Sequence, residues 1–279
     1  MIITLTKDIV KNIGFLKYIF MEKIELEEKN IKNKVKLLNI KIKTRNGKIN
    51  WKKINKFFKN SNVEVLCSED IEIPDNLNFK KFYSSKYKKR LCINAALETL
   101  KLADINANYI KILFIDKYGE YAKEVHKFIR YSNQVGVLTN NKALYEKEEN
   151  DIMKQYGASL FITENKKFVS NYNFIICPDI PEKNFFIEKD SYIFTSEKSE
   201  FMSGEKMFFD YEVKVPNIYN KFKPRGISDI DFLEAIFYEN EFEDLKNMVP
   251  KRCRSSYKSV KLQELSRKIK DQFCILAVK

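Results

Sequence analysis

The residues best placed for chemistry lie in the segment Asp116-Lys117-Tyr118-Gly119-Glu120-Tyr121-Ala122. It follows the apolar run Ile110–Ile115 and precedes a stretch with Ala122, Val125, His126 and Ile129 at helical spacing. A glycine at a strand–turn–helix junction lets the backbone approach a phosphate, and the helix start offers it positive potential. Against the spacing G-x-G-x-x-G/A, Lys117 stands at the first position, Gly119 at the second and Ala122 at the third. The close-approach glycine and the small packing residue are kept, and the turn glycine is replaced.

Other candidates fall at the ends of neighbouring apolar runs. Thr139 and Asn140 follow Val135–Leu138, and Asp179 follows Asn173–Cys177 and Pro178. Ligands of open parallel sheets bind outside the carboxyl ends of the strands, so Asp116, Lys117, Gly119, Thr139, Asn140 and Asp179 form the expected cofactor-binding set. Asp116 reads equally as a ribose or metal ligand and as a helix cap. Cys177 is expected to be a buried strand-end thiol and not a nucleophile. His126, the sole histidine, is expected on a helix body away from the strand tips. That leaves no identified catalytic residue, because histidine is the usual proton carrier near neutrality. The cysteines Cys67, Cys92, Cys177, Cys253 and Cys274 are odd in number and lack C-x-x-C spacing, which argues against zinc and against a disulfide framework. No metal site is expected, and reduced thiols suit a cytoplasmic location.

The elements that position these residues alternate. Strands are predicted at Ile110–Ile115, Val135–Leu138, Ser159–Ile162, Asn173–Cys177, Tyr192–Thr195 and Tyr211–Val215. Helices are predicted at Gly119–Tyr131 and Lys142–Tyr156, the second ending at Gly157. Such alternation implies a doubly wound parallel sheet, and the strands near Ile110, Val135, Ser159 and Asn173 should be parallel. Upstream, Val35–Lys43 alternates like a half-buried strand, Val63–Cys67 and Phe79–Tyr83 read as strands, and Ile49–Phe58 and Tyr87–Ala103 read as helices. Asp229–Tyr238 and Lys261–Lys270 read as further helices, with a closing strand at Phe273–Val278. The expected architecture is α/β, a Rossmann-like doubly wound domain at 108–279 preceded by a small α/β domain at 1–107.

The segment Asn108–Pro181 resembles the cofactor domain of the shikimate dehydrogenase and glutamyl-tRNA reductase group. The resemblance rests on the loop KYGEYA, the strand end Val137-Leu138-Thr139-Asn140-Asn141 and the helix end Tyr156-Gly157-Ala158. It implies an NAD(P)-binding fold related to oxidoreductases. In that group the second strand often ends Asn-Arg-Thr, which holds the 2′-phosphate of NADP. Here it ends TNN, with Lys142 as the nearby cation and no acidic ribose ligand, so NADP is favoured over NAD. The catalytic motifs of the group have no counterpart here, so the resemblance supports a fold more than an activity.

The 279 residues carry 51 basic and 38 acidic side chains, a net charge of +13. With 44% hydrophobic and 32% charged residues the chain is globular in composition. Its densest basic runs, Lys80–Arg90 and Lys251–Lys258, are expected to flank helices as solvated faces, and no specific nucleic-acid partner is expected. No stretch is apolar for long enough to span a bilayer. The function expected is a nucleotide- or NAD(P)-binding protein without dehydrogenase turnover; the alternative is a non-catalytic interaction or scaffold protein with a degenerate Rossmann fold. In the first case, Gly119→Val should abolish nucleotide binding and leave the melting temperature nearly unchanged.

Overall fold

The segment Val35–Thr44 alternates buried and more exposed positions, as one face of a pleated strand requires. In the computed structural model, which describes residues 1–10, 23–58, 63–179, 187–188, 190–198 and 205–276, it is the third strand of a five-stranded sheet. The strands are β1 (Ile2–Ile9), β2 (Ile24–Ile31), β3 (Val35–Thr44), β4 (Val63–Cys67) and β5 (Phe79–Lys81), ordered β2-β3-β1-β4-β5. β1 lies between β3 and β4 and is parallel to both, while β2 pairs antiparallel with β3. The β2–β3 turn places Lys32 and Asn33 at positive φ, a conformation asparagine tolerates well. Leu5, Ile40, Ile42, Val65 and Phe79 fill one face together with Ile54 of α1 (Trp51–Asn55). Pattern reading misses β1: its apolar Ile2, Ile3 and Leu5 are buried, but Lys7 and Asp8 at its far end break the run.

Helix α2 (Lys86–Ala103) leads to the second sheet. Its strands are β6 (Lys111–Ile115), β7 (Gln134–Leu138), β8 (Phe161–Thr163), β9 (Phe174–Cys177), β10 (Tyr192–Thr195) and β11 (Met207–Phe208). The order is β11-β10-β9-β6-β7-β8 and every pairing is parallel. The four strands expected to be parallel are therefore parallel and in one sheet. The order reverses between β6 and β9, which opens a crevice outside their carboxyl ends. Helices flank the sheet, among them α3 (Lys142–Tyr156), closed by Gly157 at φ +65. The sheet is of the kind found in Rossmann-like α/β folds.

Between β6 and β7 the expected helix Gly119–Tyr131 is instead two 3-10 segments, Ala122–Lys127 and Ile129–Tyr131. Ala122, Val125 and Phe128 are all buried, and their three-residue spacing aligns on one face only at three residues per turn.

The chain then passes through β12 (Asp210–Glu212), α4 (Asn217–Asn220), α5 (Asp229–Glu239), α6 (Glu243–Lys246), β13 (Arg252–Arg254), β14 (Ser259–Lys261) and α7 (Leu262–Leu276). It forms two compact units, one of Met1–Tyr87 with Lys214–Lys246, the other of Lys88–Val213 with Asn247–Lys279. The loop 104–108 lies within the second. In the first, α5 packs on β1 and β4 with Phe232, Leu233 and Ile236 buried, and its N-cap Ser228 accepts the Asp231 N–H at 3.1 Å. In the second, β12, β13 and β14 form a separate antiparallel sheet, so the strand expected at Tyr211–Val215 does not extend the parallel one. The strand expected at Phe273–Val278 is helical as far as Leu276, because Leu265, Ile269 and Phe273 continue one buried stripe; 277–279 lie outside the described residues.

Candidate functional site

Asp116 directly follows β6 and is fully buried. Its Oδ1 accepts the N–H groups of Gly119 and Glu120 at 3.0 and 3.1 Å. Its Oδ2 accepts the Tyr121 N–H at 2.7 Å and the Tyr145 hydroxyl, from α3, at 2.8 Å. Burial raises the Asp116 carboxyl above the usual carboxylate range, against the lowering effect of these donors. The amides that a phosphate loop would offer to a ligand thus point at a carboxylate of the protein itself.

Gly119 sits at φ +78 under the first turn of α3. A Cβ there would lie 2.8 Å from Leu144 Cδ1 and 3.5 Å from Asn141 Cβ. The end of the Leu144 side chain stands where a side chain at this position would go. Asn141 Nδ2 also donates to the Tyr118 carbonyl at 3.3 Å, while the Tyr118 ring projects outward. The expectation that Gly119→Val would spare stability is corrected by this packing: φ is left-handed and Leu144 is in the way.

The other expected residues lie close by. Lys117 accepts the Asn140 N–H at 3.1 Å on its carbonyl, and its Nζ lies 5.3 Å from the Tyr118 ring centre. Thr139 is buried and accepts the Asn141 N–H at 3.0 Å; Asn140 is exposed. Lys142, the candidate partner of a 2′-phosphate, lies 3.5 Å from Glu164. Asp179, beyond β9, pairs with Lys89 of α2 at 2.6 Å. Its carbonyl accepts the Cys177 thiol at 3.2 Å and the Thr195 hydroxyl at 3.3 Å. Burial opposes the charge on Lys89, yet the bond to Asp179 outweighs it and raises the Lys89 pKa. The five residues from Asp116 to Asn140 thus gather at the ends of β6 and β7, and Asp179 stands at the end of β9.

Sequence reasoning missed the groups that pack beside this loop. Arg90 of α2 is buried, lies 2.6 Å from Glu124 and stacks 5.5 Å from the Tyr121 ring centre. Lys127 holds the other Glu124 oxygen at 2.7 Å. Burial works to raise the Glu124 carboxyl, but Arg90 and Lys127 bring it below its usual range. Lys89 and Arg90 belong to the run expected to be a solvated face, which is a correction for those two residues. Tyr145 was missed as well: its helix also carries Leu144, Ile152, Met153 and Tyr156, and nothing in their spacing singles it out.

His126 Nε2 lies 2.7 Å from Glu148 Oε2 and ties the 3-10 segment to α3. Among the described residues, no group of three or more His, Cys, Asp or Glu side chains is placed to hold a metal ion, and no helix is long and apolar enough to cross a membrane. In the first unit, a cavity of about 300 Å³ is lined by Ile3, Leu66, Phe82, Ala235 and Tyr238, among others. No protein-family model matches the chain, and no curated protein matches it.

Proposed function

We propose that this chain is a Rossmann-like protein whose phosphate loop is closed on itself, and that it acts as a non-catalytic interaction or scaffold protein. One observation carries the reading: the buried Asp116 carboxylate takes the N–H groups of Gly119, Glu120 and Tyr121. A dinucleotide phosphate would have to displace that carboxylate or sit beside it as a like charge in a low-dielectric setting. Leu144 over Gly119 supports the same reading. So do the Lys89–Asp179 and Arg90–Glu124 pairs, since each spends a cation that would otherwise suit phosphate. The buried reduced thiols of Cys67, Cys92, Cys177 and Cys253 fit a cytoplasmic setting.

The second reading is nucleotide binding, with NADP ahead of NAD, in a protein related to oxidoreductases. It is favoured by the strand order, which reads 3-2-1-4-5-6 when β6 is counted as strand 1, and by Gly119 at the switch point.

Thermal unfolding with millimolar NAD, NADP, S-adenosylmethionine and mononucleotides separates the two. The closed-loop reading expects no stabilisation. A ligand present at a hundredfold excess over its Kd would add about 2.7 kcal/mol, or a rise of about 5 °C or more. Such a rise with NADP, or fast hydrogen exchange at the Gly119, Glu120 and Tyr121 amides, would overturn it.

A further inference from the structure

The carboxylates that meet the first basic run are less exposed than those that meet the second. Members of the first run meet carboxylates: Lys80 with Glu64, Lys86 with Glu241, Lys89 with Asp179 and Arg90 with Glu124. The second belongs to a longer stretch, Lys251–Lys270, in which Glu264 is the sole carboxylate among many lysines and arginines. The β13–β14 hairpin and α7 fold this stretch into one surface. Arg252, Lys258 and Lys268 all act on Glu264 and hold its carboxyl below the usual range, Lys268 foremost. Arg254 pairs across the hairpin from Ser259, the residue after Lys258, and α7 begins directly at the end of β14, so strand, hairpin tip and helix adjoin. Carboxylates offset part of the charge through exposed pairs that dissociate readily: Asp210 at 3.5 Å from Arg254, Glu212 at 3.7 Å from Arg252 and Glu264 at 2.6 Å from Lys268.

At the tip the turn is braced. Ser255 N–H donates to the Lys258 carbonyl at 2.8 Å, and the Ser255 hydroxyl accepts from Tyr257 and Lys258 N–H at 3.3 and 3.2 Å. The Tyr257 ring stands out of this turn at 67% exposure, beside Lys258. Among the described side chains of α7, the apolar Leu262, Leu265, Ile269 and Phe273 are all buried and none is offered to a lipid surface.

We propose that the β13–β14 hairpin and the outer face of α7 bind single-stranded nucleic acid without sequence preference. Arg254, Lys258 and Lys268 take successive phosphates, and Tyr257 stacks on a base. Arginine suits the phosphate oxygens through its forked donors. A phosphate chain is the complement of a surface whose excess charge is held on a rigid hairpin, and an unpaired base is the complement of an exposed ring at its tip.

Fluorescence anisotropy of the full chain with a labelled oligothymidylate of about 20 nucleotides tests this, with heparin and phosphatidylserine vesicles as parallel probes. Binding should weaken with salt at a log–log slope of about −2, the value for three single-strand phosphate contacts. The triple variant Arg254→Ala, Lys258→Ala, Lys268→Ala should flatten that slope. Tyr257→Ala should weaken oligonucleotide binding about tenfold and leave heparin binding unchanged. Lys80→Ala, in the first run, should change neither. The substitutions at Arg254, Tyr257, Lys258 and Lys268 are all on exposed side chains, and unchanged melting temperatures confirm the variants are folded. The proposal is overturned by any of four results: no binding at low salt, equal binding by the triple variant, equal losses for heparin and oligonucleotide in Tyr257→Ala, or tighter binding to vesicles than to the oligonucleotide.

Discussion

The loop after β6 and the hairpin of β13 and β14 both gather donors that suit a phosphate, and they dispose of them in opposite ways. In the loop the backbone N–H groups of Gly119, Glu120 and Tyr121 converge, as an anion site requires, but they converge on Asp116 of the same chain. In the hairpin the cations and the Tyr257 ring are held outward by a turn built on Ser255. The difference lies in where the compensating carboxylate sits. A buried carboxylate needs every donor it can obtain, so Asp116 takes the whole loop. The exposed Asp210, Glu212 and Glu264 are already hydrated and hold their cations weakly. A donor-rich segment is therefore a ligand site only where its own chain leaves the donors to solvent.

The sharpest way to break the comparison is to remove the internal anion. Asp116→Ala leaves three loop amides and the Tyr145 hydroxyl without their acceptor, at a cost of about 3–5 kcal/mol. Calorimetry should show a fall in melting temperature of about 10 °C. A fall of less than about 2 °C would mean that Asp116 does not hold the loop.

Gly119→Val comes next. The left-handed φ and the 2.8 Å approach of Leu144 together predict a loss of about 2–3 kcal/mol by urea unfolding. Gly119→Ala should cost less, since it adds a Cβ without a second branch. Equal stability of Val variant and parent would show that Leu144 swings away and that the space over the loop opens freely.

The third effect is a pH dependence in the crevice. Glu124 is held below its ordinary value of 4.5 when folded, so its contribution to stability is present above that pH. It is lost as pH falls through the folded value. Asp116 has the opposite sign: its carboxyl is raised in the fold, so its charge costs stability as pH rises from its ordinary value of 3.8 through the folded one. Glu124→Gln should therefore trail the parent at pH 7 and draw level with it as the solution is acidified below pH 4.5. A gap that stays constant with pH would assign the loss to packing and not to charge.

The smallest effect is expected at Lys142. Its pair with Glu164 is exposed on both sides, so Lys142→Ala should change stability by less than about 0.5 kcal/mol. A larger change would place Lys142 among the groups that, like Lys89, have been drawn into the fold.

Much of the second unit was readable from the chain because its signals are local. ILFI of β6 and FIIC of β9 are short apolar runs bounded by polar residues, and these become buried stretches of parallel strands. α3 runs from Lys142 to Tyr156 as its pattern predicts, because Gly157 supplies the left-handed stop within a single turn. The gathering of Asp116, Lys117, Gly119, Thr139 and Asn140 also follows from adjacent parallel strands, since the first three come directly after β6 and the last two directly after β7.

Other features depend on distances that no spacing encodes. Lys89 meets Asp179, and Arg90 meets Glu124, only because α2 carries its first turns to the crevice outside β6 and β9. From sequence both cations were ordinary members of a charged run. Tyr145 reaches Asp116 across a crossover, and a hydroxyl pointing inward from a charged helix has no periodic mark. The 3-10 turns after Gly119 differ from an α-helix by one residue in hydrogen-bond register, a preference that the burial of Ala122, Val125 and Phe128 decides. The apolar face of α5 announced that it would be buried, but not that β1 and β4 would bury it. Periodicity and capping act within a few residues and so are written along the chain; ion pairing, desolvation and packing depend on separation in space, which exists only once the strands have been ordered.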